Sequence, residues 1–381
     1  MSAGNAVEIV QSLSGVPAGQ WDALAGAAPF LSHAFLHALE RTGCVGAQSG
    51  WAPCHLLLRA RDRLVGAMPL YLKSHSYGEY VFDWGWAEAY HRNGLRYYPK
   101  LVNAVPFTPV TGERLLAADT EARATLLAAA LRFAGDSGVS SLHCLFPTAE
   151  EARLMSAAGM LLRQTVQFHW RNDGYRSFED FLGRMNHDKR KKIHQERRKL
   201  RAAGIEFRRL SGEQADESDW RFFFDCYRRT YRSHMSTPYL NLDFFLALAA
   251  AMPGALLLSI ASRDGLPIAS SLCMLGGQSL YGRYWGTREY HPGLHFECCY
   301  YQPMEHCIER GIACFEGGAQ GEHKLARGLL PVKTQSAHWL AHPEYFDAVA
   351  GFLRRETRGI DRYVDELAEH SPFKGLTDGS A

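Results

Sequence analysis

The residues best equipped for chemistry fall close together late in the chain. Phe315–Lys333 reads Phe-Glu-Gly-Gly-Ala-Gln-Gly-Glu-His-Lys-Leu-Ala-Arg-Gly-Leu-Leu-Pro-Val-Lys. Its glycines let the backbone turn and approach a ligand closely. Glu316, Gln320, Glu322, His323, Lys324 and Arg327 can then converge on one molecule. Carboxylates and an imidazole accept a proton, and the cations hold an anion. So polar a segment is expected as a loop rather than a core strand or an amphipathic helix. The preceding stretch, Phe296–Gly311, has apolar residues at 296, 299, 300, 304, 307 and 308. That is helical spacing, closed by a glycine suited to the position just past a helix end. Ser336–Leu340 follows as a short half-apolar run of strand type.

A second polar group lies in the first half. Lys73, His75, Glu79 and Asp83 alternate with Tyr77 and Tyr80, and a period of two puts several of them on one face. They line a pocket or form a seam between the halves of the chain. Trp84, Trp86, Tyr97 and Tyr98 are read as core, and 99–109 as a loop.

The two groups occupy matching places in a repeat. Leu56-Leu57-Leu58, Arg61-Asp62, Leu64, Ala67 and Tyr77-Gly78-Glu79-Tyr80 recur as Leu256-Leu257-Leu258, Arg263-Asp264, Leu266, Ala269 and Tyr281-Gly282-Arg283-Tyr284. The matches keep their order, which implies one α/β unit duplicated: strand, two helices, an antiparallel meander, a helix and closing strands. The expected division is residues 1–172, a basic helical bridge at 173–204, and 205–381.

The bridge is the most charged part of the chain. Lys189–Arg201 contains eight Lys or Arg and one Glu, a local charge of +7 in a protein whose net charge is +2. Like charges one turn apart destabilise a helix, and Glu196 is the only acid at hand to relieve them. A polyanion relieves them too, such as tRNA, a nucleotide diphosphate or the phosphate tail of CoA. Lys189, Arg190, Arg197 and Arg201 are the candidate phosphate contacts.

Composition removes other classes. An apolar share of 46% and a charged share of 22% describe a soluble globular protein. There is no 18-residue apolar run and no secretory leader, so the reading is cytoplasmic. Nine scattered cysteines without a Cys-x-x-Cys pair are read as reduced and mostly buried. His291/His295 lacks the Glu and third ligand of a metalloprotease, so no metal is expected. Gly317-Gly318-x-x-Gly321 lacks the strand–glycine–helix setting of a dinucleotide fingerprint.

With these features in place the chain resembles the FemAB-like proteins associated with peptidoglycan biosynthesis or recognition. The resemblance is carried by Pro69–Asp83, Tyr97–Leu101, Pro106–Pro109, the basic bridge and Phe315–Pro331. It implies an α/β (α+β) fold of two tandem GNAT-like domains, with mixed, mostly antiparallel sheets flanked by helices. It implies transfer of an acyl or aminoacyl group to a primary amine, such as that of a peptidoglycan precursor. The co-substrate is then acyl-CoA or aminoacyl-tRNA, with no resident cofactor. Partners are a small-molecule or peptide amine acceptor and, for an RNA donor, tRNA. In that chemistry Glu316, Glu322 or His323 takes the proton, and Lys324 and Arg327 hold a carboxylate or phosphate. Tyr284 or a backbone N–H near it faces the oxyanion. Gln320, Lys73, His75, Glu79 and Arg283 complete the substrate contacts. Acetyl-CoA enzymes of this fold carry a glycine-rich pyrophosphate turn. The corresponding turn here, Arg288–Gly293, has one glycine and a proline and offers fewer N–H groups. Two rival readings are a non-catalytic module binding cell-wall peptide or RNA, and an ordinary acetyl-CoA N-acetyltransferase.

Overall fold

The computed structural model describes residues 6–319 and 321–374. The chain forms two compact units, neither continuous in sequence. One is Met1–Thr165 with Lys333–Asp361; the other is Val166–Val332 with Arg362–Ala381.

The elements of the first unit are β1 (Ala6–Val10), α1 (Ala18–Ala25), α2 (His33–Arg41), β2 (Trp51–Pro53), β3 (His55–Ala60), β4 (Arg63–Met68), β5 (Tyr71–Lys73), α3 (Trp84–Arg92), β6 (Lys100–Asn103), β7 (Leu116–Ala117), α4 (Thr120–Asp136), β8 (Ser141–Leu145), α5 (Ala149–Ala157) and the start of β9 (Leu161–Arg171). The second unit takes the rest of β9, then α6 (Phe178–Arg184), α7 (His187–Ala202), β10 (Ile205–Ser211), α8 (Glu217–Ser233), α9 (Leu242–Ala251), β11 (Leu256–Arg263), β12 (Leu266–Gly276), β13 (Ser279–Thr287), α10 (Leu294–Phe296), α11 (Gln302–Arg310) and β14 (Cys314–Ala319). The chain closes with β15 (Leu330–Leu340) and α12 (Pro343–Glu369).

The expected repeat is visible in the connections. β1 pairs antiparallel with β3 across two intervening helices, and β3 with β4. β10 pairs antiparallel with β11 across two intervening helices, and β11 with β12. Both hairpins turn through two residues. Asp264 and Gly265 both have positive φ (52° and 75°), the geometry whose twist suits an antiparallel pair. Ser32 and Asp119 cap α2 and α4 by accepting from Phe35 N and Ala122 N. Gly311 ends α11 in the left-handed conformation.

The two runs diverge after the hairpin. β12 continues into the nine-residue β13. In the first unit β5 has only three residues and joins β2 and β6 instead. Tyr77–Tyr80 is therefore not a strand, unlike Tyr281–Tyr284, and the period-two reading of Lys73, His75, Glu79 and Asp83 fails beyond Lys73. Within 99–109, expected as a loop, Lys100–Asn103 is a fully buried strand lying between β5 and β8. The C-terminal helix α12 runs unbroken for 27 residues, through Gly359. The boundaries at 172 and 204 do not coincide with the units. β15 leaves the second unit to pair with β8, and Val349 and Leu353 of α12 pack with Trp86 and Tyr90 of the first.

α8 lies directly on β13. A Cβ added at Gly286 would sit 1.9 Å from the Cys226 carbonyl oxygen, a backbone atom that cannot step aside. Gly286→Ala is expected to cost about 2–3 kcal/mol through overpacking, read as a lower denaturant midpoint with unchanged slope.

Candidate active site

The polar segment Phe315–Lys333 is not one loop. Cys314–Ala319 is a strand, Glu322–Arg327 a short 3-10 helix, and Leu330 begins β15. The pairing with β9 and β13 makes this segment a strand despite its glycines. A Cβ at Gly317 would meet the Leu329 side chain at 2.4 Å, so the bare glycine leaves room for Leu329 to pack on the strand. Gly318, with φ 78°, lies in an irregularity where three residues of β14 span two of β9.

β14 pairs parallel with β13 over Ser279–Tyr281 and Cys314–Glu316 only. β13 itself runs on to Thr287 against β12. β12 and β13 shift register where Leu272 faces Tyr284 and Cys273 faces Gly282, leaving Arg283 as the extra residue of a bulge. Glu316 lies where the β13–β14 pairing stops.

Glu316 is sunk in this sheet. One carboxylate oxygen, Oε2, is buried without a hydrogen-bond partner among the described residues. The His169 Nε2 atom, on the neighbouring position of β9, lies 3.8 Å from it. Burial pushes the Glu316 carboxyl up to about 7, against the opposing pull of Arg283 and Arg171. Burial, with Arg171 and Lys324 nearby, pushes His169 down to about 4. Lys324 is lowered to about 8, chiefly by burial, and its ammonium donates to the Gly318 carbonyl at 3.1 Å.

The other predicted residues of this segment take different positions. Glu322 is exposed and accepts from Tyr363 at 3.2 Å. His323 meets the Tyr300 hydroxyl at 3.1 Å, and its ring lies beside those of His295, Phe296 and Tyr300. Arg327 is buried with its guanidinium over the Phe296 ring, donating to Glu196 Oε1 at 2.8 Å and to the His323 carbonyl at 2.8 Å. It braces the 3-10 helix against α7. Tyr284 packs edge-on against Tyr227 and Phe245, with Arg283 over its ring. Gln320 lies outside the described residues.

Helix α7 separates its basic residues. Arg197 is committed to Glu297 (2.9 and 3.1 Å) and Glu305 (2.7 Å), with its guanidinium over Phe178. It is a structural ion pair, which corrects its assignment as a phosphate contact: its acids arrive from the turn and helix after residue 296. Glu196 serves Tyr301 and Arg327, not its helical neighbours. Lys189, Arg190, Lys191, Lys192, Arg198, Lys199 and Arg201 have no ion pair among the described residues. A Cβ on Gly293 would touch Glu196 at 3.4 Å, so α7 runs beside the turn at Arg288–Gly293.

The polar group of the first unit is a closed array. Lys100 Nζ donates to Ser76 Oγ (2.7 Å), to Glu79 Oε2 (2.8 Å) and to Asp83. Asp83 also accepts from the Tyr97 hydroxyl at 2.6 Å, and Tyr97 meets His143 Nε2 at 3.0 Å. His143 and His338 join through their Nδ1 atoms at 2.7 Å, and His338 reaches Ser336 at 2.8 Å. Lys73 lies over the Trp51 ring, 3.9 Å from Glu79 Oε1, with His75 at 3.4 Å. Burial lowers Lys73 to about 7 and raises Glu79 to about 7, while Lys100 holds Asp83 well below the carboxylate range. Sequence reading missed Lys100, His143, His338 and His169. His143, between Leu142 and Cys144 in a short buried strand, carried an available signal, whereas β9 and β15 hold several other polar residues among which His169 and His338 do not stand out.

Burial holds His143 down to about 3 and His338 well below the usual imidazole range. Below pH 6.5 the unfolded chain protonates both histidines and the folded chain does not, so stability falls as pH drops. Glu79 works the other way between 7 and 4.5, since only the folded state takes up its proton. His169 and His295, pushed down to about 4, add to that loss and Glu316, raised to about 7, opposes it together with Glu79, so the histidines outnumber the carboxylates and stability falls as pH drops from 6 to 5. Denaturant midpoints measured across that range check it, and a flat or rising profile would count against the buried pair.

Comparison with known proteins follows the same outline. The FemAB-like family, described as peptidoglycan biosynthesis/recognition, matches residues 12–375. No curated protein matches the chain. The solved structure of FemX is 12% identical with a TM-score of 0.54, covering 89% of this chain and 98% of its own. A conserved protein of unknown function from Bacteroides thetaiotaomicron is 8% identical with a TM-score of 0.50, covering 88% and 100%. A tandem GNAT protein from the clavulanic acid pathway covers 89% and 99% at 12% identity and a TM-score of 0.45. The α/β fold, with mostly antiparallel strands and flanking helices, is that of the FemX structure, and among the described residues no helix is long and apolar enough to cross a membrane. A match along nearly the whole chain makes this protein a member of the FemAB-like family.

Proposed function

We propose that the protein is an N-acyltransferase that moves an acyl or aminoacyl group from an activated ester or thioester to a primary amine. The observation that carries this reading is the buried Oε2 of Glu316, without a hydrogen-bond partner among the described residues, where the β13–β14 pairing ends. An amine positioned there donates its proton to that oxygen as its nitrogen attacks the carbonyl carbon. The C–N bond forms, and the oxyanion is met by donors of the bulged strand around Arg283 and Tyr284. The tetrahedral centre then collapses, and the ester oxygen or thioester sulfur leaves with a proton. No covalent enzyme intermediate is needed. Of the other candidate bases, His323 is tied to Tyr300 and Glu322 to Tyr363.

The donor carries phosphates, as both aminoacyl-tRNA and acyl-CoA do. The cations of α7 without an ion pair among the described residues, including Lys189, Arg190 and Arg201, form the phosphate surface on a helix that passes the turn at Gly293. Lys324 and Arg327 shape the donor side of the site. The acceptor is an amine of a peptidoglycan precursor, in keeping with the family's description. Lys73, His75 and Glu79 belong to the closed array of the first unit, and there we assign them a supporting role. The test incubates folded protein with charged tRNA or a panel of acyl-CoAs and a set of primary amines, and detects amides by mass spectrometry. Amide formed from one donor class supports the proposal; folded protein giving none from either class overturns it.

A further inference from the structure

Three potential ligands of a metal ion share one face of the second unit's sheet. Cys314 and Glu316 are two residues apart on β14, so their side chains point the same way. His169 stands opposite Glu316 on β9. The Cys314 thiol sulfur, a His169 ring nitrogen and a Glu316 carboxylate oxygen all lie within 4.8 Å of one another. His169 is buried and the other two half-buried. Ligands of a tetrahedral zinc ion lie about 3.3–3.8 Å apart, so side-chain rotations of roughly 1 Å bring these atoms to coordination distance.

We infer that Cys314, His169 and Glu316 form a site for a divalent d-block cation of the zinc class, with a fourth position open to water or a ligand. One thiolate, one imidazole and one carboxylate are the donors such a cation selects, and magnesium or calcium would seek oxygen alone. On binding, the Cys314 thiol proton passes to solvent and sulfur bonds the metal. Two anionic ligands offset the dication, which matters because Arg171 and Arg283 stand close to Glu316. The bound ion takes the Glu316 oxygen that the transfer reading assigns to the amine proton, so the same cation inhibits turnover. That second consequence rests on the proposed function; metal binding does not.

The test adds cobalt(II) to chelator-treated full-length protein and follows the near-ultraviolet thiolate-to-cobalt absorption, with zinc competition for affinity. Wild type is expected to show the band and to lose it to zinc but not to magnesium. Cys314→Ser abolishes the band, and His169→Gln weakens zinc binding by about 100-fold or more. Cys44→Ser, away from the site, leaves both unchanged. Absence of the band in folded wild type, or its persistence in a folded Cys314→Ser protein, overturns the site. If Cys314→Ser does not fold, Glu316→Gln gives the same decision through zinc affinity. Zinc binding without inhibition keeps the site and counts against the role given to Glu316.

Discussion

Glu316→Gln is expected to keep the fold and to lower turnover by about 10²- to 10⁴-fold, the range for removing a positioned proton acceptor. The amide has nearly the shape of the acid and cannot take up a proton. Stability should hardly change, because Oε2 makes no hydrogen bond that the substitution breaks. The effect should fall on kcat rather than on KM, since the lost interaction develops as the amine attacks. Glu322→Gln is the comparison. That side chain is exposed and, among the described residues, holds the Tyr363 hydroxyl alone, so its turnover should stay within about threefold. Steady-state kinetics of both variants, with denaturant midpoints as the control, check the pair.

Lys100→Met should be the most destabilising of the single changes considered, at about 3–5 kcal/mol. Lys100 is fully buried and neutralises two buried carboxylates, Glu79 and Asp83. Its removal leaves both acids in a low-dielectric setting without their shared cation. Lys73 cannot replace it, because its ammonium is 3.9 Å from Glu79 on the other oxygen and lies over Trp51. Lys191→Met on the exposed face of α7 should change stability by less than about 0.5 kcal/mol, having no ion pair to lose. Urea or guanidinium unfolding of the two proteins measures the contrast. A Lys100→Met protein as stable as wild type would mean that the array is not held by charge.

Local chemistry made much of this fold legible in advance. The hairpins at Arg61-Asp62 and Asp264-Gly265, the caps at Ser32 and Asp119 and the glycine stop at 311 are set by residues within a turn of one another. The duplicated strand–helix–helix–hairpin order was legible because its apolar runs recur in step. What escaped the sequence depends on distant partners. Cys314–Ala319 is a strand despite its glycines, because β9 and β13 supply hydrogen bonds that no local signal announces. Lys100 reads as a loop residue until Glu79 and Asp83 close around it. Arg197 reads as a spare cation until Glu297 and Glu305 arrive from about a hundred residues away. At the site, Glu316 was legible as an acid among glycines. His169 was not, since only the β9–β14 register places it opposite.

The most direct test of the central claim is a single-turnover experiment with the donor already bound. Wild type and Glu316→Gln are mixed with the amine acceptor, and the amide product is followed in time. The predicted result is amide formation by wild type and a rate at least about 100-fold slower in the variant, with donor binding unchanged. Equal rates in the two proteins would contradict the assignment of the proton to Glu316.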